Sequence, residues 1–208
     1  MLRIGNSKTN RPGRIARTAR QVIAIIGVGL SVSIGAHAEN ATLDYRMLAT
    51  SKTSTMEREL NEAAAQGYRF SRVVWGNVTN GGQVIIAMVK ASTVPGTEVP
   101  RYKLLATTRT TTMQAEMQQL ADAGYAYLDH TIFESAAGAK ELAVVMELES
   151  LKRDAPRSSY KLLATTRAST MQKELQEAGS QGYALLGLTA GKTGARGREV
   201  IAILRKER

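Results

Sequence analysis

Residues 45–56 read YRMLATSKTSTM, residues 102–113 read YKLLATTRTTTM, and residues 160–171 read YKLLATTRASTM. A Gly-Tyr pair begins 22 positions after each opening tyrosine, at Gly67-Tyr68, Gly124-Tyr125 and Gly182-Tyr183. Self-similarity at fixed spacing marks one supersecondary unit used three times.

Outward from this passage, each unit reads strand, helix, strand, strand. The first strand is expected at Tyr45–Thr50, Tyr102–Thr107 and Tyr160–Thr165. Ser54, Thr111 and Ser169 stand as helix N-caps, with Glu57, Gln114 and Gln172 three residues later, the spacing of a capping box. Met56, Leu60, Ala63 and Ala64 form one helical stripe; its equivalents are Met113, Met117, Leu120 and Ala121, then Met171, Leu175, Ala178 and Gly179. Gly67, Gly124 and Gly182 fall where a left-handed residue ends a helix. A second strand starts at Tyr68, Tyr125 and Tyr183. The third is an uninterrupted apolar run, Val84–Val89, Leu142–Met146 and Val200–Leu204, which predicts a central strand and a sheet order of 1-3-2. Asn80-Gly81-Gly82, Gly138 and Gly194 to Gly197 supply the turns before it.

Pro- and polar-rich linkers at 92–100 and 151–159 separate repeats at 41–91, 101–149 and 159–207. A unit of about 50 residues is marginal as an independent domain. The expected fold class is therefore α+β: three tandem β-α-β-β repeats packed as one compact body, with mixed sheets and one helix per repeat.

The unit resembles a small bacterial domain-of-unknown-function family whose members read Tyr-Lys-apolar-apolar, a polar loop, then Leu-Asn, five residues and Gly-Trp. Leu60-Asn61 through Gly67-Tyr68 carry the match. Tyr replaces that Trp in every copy, and Gln118 and Gln176 replace the Asn. The resemblance implies a compact α+β module and transfers no catalytic residue.

Residues 1–38 read as an export signal. Six cations without an acidic residue precede the 14-residue apolar run Val22–Gly35, and Ala36 and Ala38 offer the small side chains of a cleavage site. The run is shorter than the roughly 20 residues of a bilayer span, so no stable membrane span is expected after cleavage; an uncleaved anchor is the alternative. This places the protein in the periplasm or outside the cell. The net charge of +10 falls to +4 once residues 1–38 are set aside, and residues 151–208 alone carry +7. The alkaline balance is thus largely a targeting feature and gives little reason to expect nucleic acid as a partner. The chain contains no cysteine, which removes disulfides, thiol nucleophiles and thiolate metal sites.

Catalytic parts are sparse. His130 is the one histidine beyond the leader, and a lone histidine in a strand reads as a packing or surface residue. Gly191-Lys192-Thr193 matches the end of a phosphate-binding loop, but Leu186 stands where that motif needs glycine and a strand follows instead of a helix. No metal site and no cofactor is expected. Two polar features stand out. The loop before each helix pairs hydroxyls with a cation (Thr50 and Lys52, Thr107 and Arg109, Thr165 and Arg167), a composition suited to an anion at a helix N-terminus. The structural alternative pairs those cations with Glu59, Glu116 and Glu174. Lys192, Arg196 and Arg198 form a basic contact loop in the third repeat. The six repeated tyrosines read as core residues with hydroxyls at the rim, or as a stacking platform for carbohydrate. Trp75 reads as a contact residue or a sheet-end plug.

Together these features lead us to expect a non-enzymatic binding or scaffold module of the cell envelope, with an envelope protein or anionic polymer as partner. The alternative is a hydrolase or small-molecule-binding protein with a polar site formed between repeats.

Overall fold

All three copies of the passage fold alike. A computed structural model describes residues 42–77, 82–90, 98–135, 138–148, 157–193 and 197–208. The leader at 1–38 with Ala36 and Ala38, the Asn80-Gly81 turn, Arg196 and most of both linkers lie outside the described residues. The first unit comprises β1 (Asp44–Thr50), α1 (Thr53–Ala65), β2 (Arg69–Asn77) and β3 (Gly82–Lys90). The second comprises β4 (Tyr102–Thr107), α2 (Thr110–Asp122), β5 (Tyr125–Glu134) and β6 (Lys140–Leu148). The third comprises β7 (Ser158–Thr165), α3 (Ala168–Ser180), β8 (Ala184–Thr193) and β9 (Gly197–Glu207). The sheet orders are β1-β3-β2, β4-β6-β5 and β7-β9-β8, so the last strand of each unit is central as expected. Every pairing is antiparallel. The sheets are therefore purely antiparallel, which corrects the expected mixed sheets: each central strand runs opposite to both of its neighbours.

The helix C-termini follow the sequence reading. Gly67, Gly124 and Gly182 have φ of 90°, 95° and 85°, and the N–H of Tyr68 and of Tyr183 reaches back to Ala63 O and Ala178 O. The N-termini do not. The N-cap residues are Lys52, Arg109 and Arg167, none with a side-chain cap, and Ser54, Thr111 and Ser169 lie inside the first turn. The chain turns early because Thr50 Oγ1 accepts from Lys52 N at 3.2 Å, as Thr107 does from Arg109 and Thr165 from Arg167. The first helical bonds then run from Met56, Met113 and Met171 N to the carbonyls of Lys52, Arg109 and Arg167.

In the first two units the capping box fails for a second reason: its acidic or amide member is engaged elsewhere. Glu57 Oε2 accepts from the backbone N of Leu104 in the next unit (3.1 Å) and Oε1 from Lys103 Nζ (2.7 Å). Gln114 Oε1 accepts from Leu162 N at 2.8 Å. One turn on, Asn61 Oδ1 accepts from Tyr102 N (2.9 Å) while its Nδ2 donates to Tyr102 O; Gln118 does the same for Tyr160 N and Ser158 O. α1 and α2 therefore satisfy the open edge of the following sheet with side chains in place of a further strand.

Tyrosine completes the joint. Tyr102 and Tyr160 are 1% and 4% exposed. Their hydroxyls lie across the junction rather than at a rim, accepting from Phe70 N (3.0 Å) and Tyr127 N (2.8 Å) of the preceding unit. Those N–H groups sit at the β-bulges that break the register of β2 and β5. Tyr45, the matching residue of the first unit, has no preceding unit among the described residues and is 63% exposed, which corrects its expected core role.

The apolar core follows the same plan. α1 packs between its own sheet and that of the second unit, so Met56, Leu60 and Ile86 share one cluster with Tyr102, Leu104 and Val145. α2 repeats this, with Met113, Met117 and Val144 clustered against Tyr160, Ile201 and Ile203. β6 is buried along both faces, whereas β3 alternates, because none of the described residues covers the outer face of the first sheet. The three units form a stack in which the helix of each of the first two packs into a core shared with the next.

Candidate functional site

The hairpin ends of the three sheets meet around a cleft of about 480 Å³. Trp75 comes from the end of β2; Ile132, Phe133, Glu134 and Lys140 from the ends of β5 and β6; Thr166 follows β7; Ala190 to Lys192 and Arg198 to Val200 come from the ends of β8 and β9. All three repeats contribute, so the cleft exists only because they stack.

Its walls are tightly set. Lys140 pairs with Glu134 across the β5–β6 turn and holds its ammonium 5.3 Å from the centroid of the Trp75 ring, a cation–π contact. A Cβ on Gly82 would lie 2.8 Å from Trp75 Nε1 and force the indole to shift, whereas one on Gly191 would lie 2.7 Å from Ile132 Cδ1, a terminal methyl that can swing aside. On the inner side Thr193 Oγ1 donates to Glu199 Oε2 at 2.7 Å, both residues being buried. Trp75 Nε1 is buried without a partner among the described residues. The ring is a half-buried wall of the cleft, between the two roles its sequence position suggested.

Lys192 and Arg198 lie directly opposite each other across the β8–β9 ladder. Both are exposed, and among the described residues neither forms an ion pair. Like charges directly opposite on a ladder repel and cost stability. Glu199, next in sequence to Arg198, is turned to Thr193, and Glu134 is held by Lys140. The two acids of the cleft are occupied and the two cations at its edge are not.

The pre-helix loops behave differently. Thr50, Thr107 and Thr165 spend their hydroxyls on the turn. Lys52, Arg109 and Arg167 are exposed N-cap residues, and none of the ion pairs among the described residues joins them to Glu59, Glu116 or Glu174. Of the three loops only the third reaches the cleft, through Thr166. The structure thus brings together Thr166, Lys192 and Arg198, while the first two loops lie apart from them. Sequence reasoning missed Glu134, Lys140, Thr193 and Glu199. The available signal was the acid-turn-base order Glu134, Gly138, Lys140.

A second polar pair lies at the junction of β5 and β8. Tyr127 OH and His130 Nδ1 are 2.7 Å apart, with Gly187 so close that a Cβ there would fall 2.5 Å from both side chains. His130 Nε2 is buried without a partner among the described residues. Burial lowers the imidazole pKa from its ordinary value, with Asp129 opposing the shift, and burial raises that of the Tyr127 phenol. His130 is a packing residue, in keeping with its lone occurrence.

Among the described residues no group of three or more His, Cys, Asp or Glu is placed to hold a metal ion, and no helix is long and apolar enough to cross a membrane. Comparison with protein-family models, with curated proteins and with solved structures gave no match.

Proposed function

We propose that this protein is an exported, non-catalytic binding module of the cell envelope that holds an anionic polymer at the cleft edge. The observation that carries the reading is the Lys192–Arg198 couple, unpaired among the described residues. Two cations placed opposite each other on the β8–β9 ladder repel each other until an anion lies between them. The acids that would otherwise neutralise them are engaged by Lys140 and Thr193. The excess positive charge of residues 151–208 extends the same field. The basic, apolar-run leader supports the compartment.

Calorimetric titration with sodium polyphosphate tests this. Lys192→Ala with Arg198→Ala should weaken binding and lower the slope of log affinity against log salt by about 1 per cation removed, with the melting temperature held or slightly raised because the exposed like-charge repulsion is relieved. Unaltered affinity would remove the cleft edge as the site. The competing hydrolase reading draws on Glu134 and Glu199 in one cleft. A hydrolytic activity of the protein lost in Glu134→Gln or Glu199→Gln would replace binding with catalysis.

A further inference from the structure

Among the described residues, neither end of the stack is capped. Tyr45 and Met47 on β1 are each 63% exposed, although their equivalents Tyr102 and Leu104 are buried against α1. At the other end α3 presents Gln172 and Gln176, the equivalents of Gln114 and Gln118, and both are exposed with no hydrogen-bond partner among the described residues. Repeat arrays that stay monomeric close their ends with polar surfaces. Here one end keeps the socket and the other keeps the plug.

We propose that the chain binds a second copy of itself head to tail, β1 of one copy docking on α3 of the next. The partner is identified by the two internal junctions, which have already solved this contact. Gln172 and Gln176 take the backbone N–H groups of Met47 and Tyr45, as Gln114 and Gln118 take those of Leu162 and Tyr160. Tyr45 OH takes the N–H of Leu185, the residue at the β8 bulge that corresponds to Phe70 and Tyr127. Leu185 is 48% exposed at that end of the stack. An open strand edge over an uncovered apolar face is a template for further pairing. Because the two surfaces differ, the contact is heterologous, and it generates a ring or an open filament rather than a two-fold dimer. The surfaces are separate from Lys192 and Arg198, so this inference stands or falls apart from the anion site.

Sedimentation velocity of the protein as recovered from its cells, over a range of concentrations, reads the result. The expected outcome is a mass that grows by one chain at a time with concentration. Two blocked variants sharpen it. Tyr45→Arg with Met47→Arg closes the head, and Gln172→Arg with Gln176→Arg closes the tail; all four positions are exposed, and an unchanged melting temperature certifies the fold of each. Each variant alone should be monomeric, while an equimolar mixture should form 1:1 dimers and stop there. Wild-type protein that stays monomeric at its highest soluble concentration overturns the proposal. So does assembly that persists in either blocked variant, which would mean a symmetric contact or one made by another segment.

Discussion

β1 and β4 differ little in sequence, YRMLAT against YKLLAT, and almost completely in circumstance. β4 inserts Tyr102 and Leu104 into a core shared with α1 and has its open edge bonded by Asn61 and Glu57. β1 turns the same side chains toward solvent. A residue's energetic role in a stacked protein is therefore set by its neighbour unit and cannot be read from the unit that contains it. α2 and α3 make the same point from the other side: Met117 is fully buried, while its equivalent Leu175 is only partly covered.

The most severe test removes a shared core side chain. Leu60→Ala should cost about 2–5 kcal/mol in urea unfolding, and Leu175→Ala well under half of that. Equal costs would mean that the third helix is covered as fully as the first. Next comes the tyrosine hydroxyl. Tyr102→Phe leaves the Phe70 N–H buried without its acceptor and should cost about 1–3 kcal/mol, whereas Tyr45→Phe should leave stability unchanged. A smaller contrast is expected at the helix amides: Asn61→Ala should destabilise by about 1–2 kcal/mol, and Gln176→Ala should stay within about 0.5 kcal/mol as an exposed change.

The pH response reports on the buried junctions. Burial pushes the Tyr102 phenol up to about 12, so the folded state keeps a proton that the unfolded chain loses near 10. Its contribution is whole below pH 10 and falls away as pH rises from 10 through 12, and Tyr102→Phe should flatten that loss. His130 works in the opposite direction. Its lowered pKa means stability held above pH 6.5 and lost as the imidazole is forced to charge at lower pH. His130→Phe should blunt the acid side of the stability profile, measured by urea unfolding across pH 4–8, as a smaller effect than any core deletion.

Much of this architecture was legible in the residues. The three copies, the order of elements, the central apolar strand and the glycine C-caps all rest on local chemistry, which one unit carries within itself. The N-caps were misread because Ser54 and Glu57 have the spacing of a capping box, and spacing cannot reveal that Glu57 serves Leu104. The exposure of Tyr45 was hidden for a related reason: three matching tyrosines suggest three matching environments, and a stack has only two junctions for three units. The cleft was half legible. The cationic turn announces itself in Lys192 and Arg198. Glu134, Lys140 and Trp75 join it from 58 to 123 positions away, counting Arg198 against Lys140 and Trp75, a distance that local pattern does not bridge.

One joint, used twice, has a consequence for how such a chain grows or shrinks. Glu57 and Asn61 meet Leu104 and Tyr102 as Gln114 and Gln118 meet Leu162 and Tyr160, and Lys161 stands where Lys103 stands. The couplings are interchangeable, so a chain with its middle unit excised would present Glu57 with Lys161 and Asn61 with Tyr160 and close on the same terms. Length, in this design, is an adjustable parameter that gene duplication can reset without inventing a new contact.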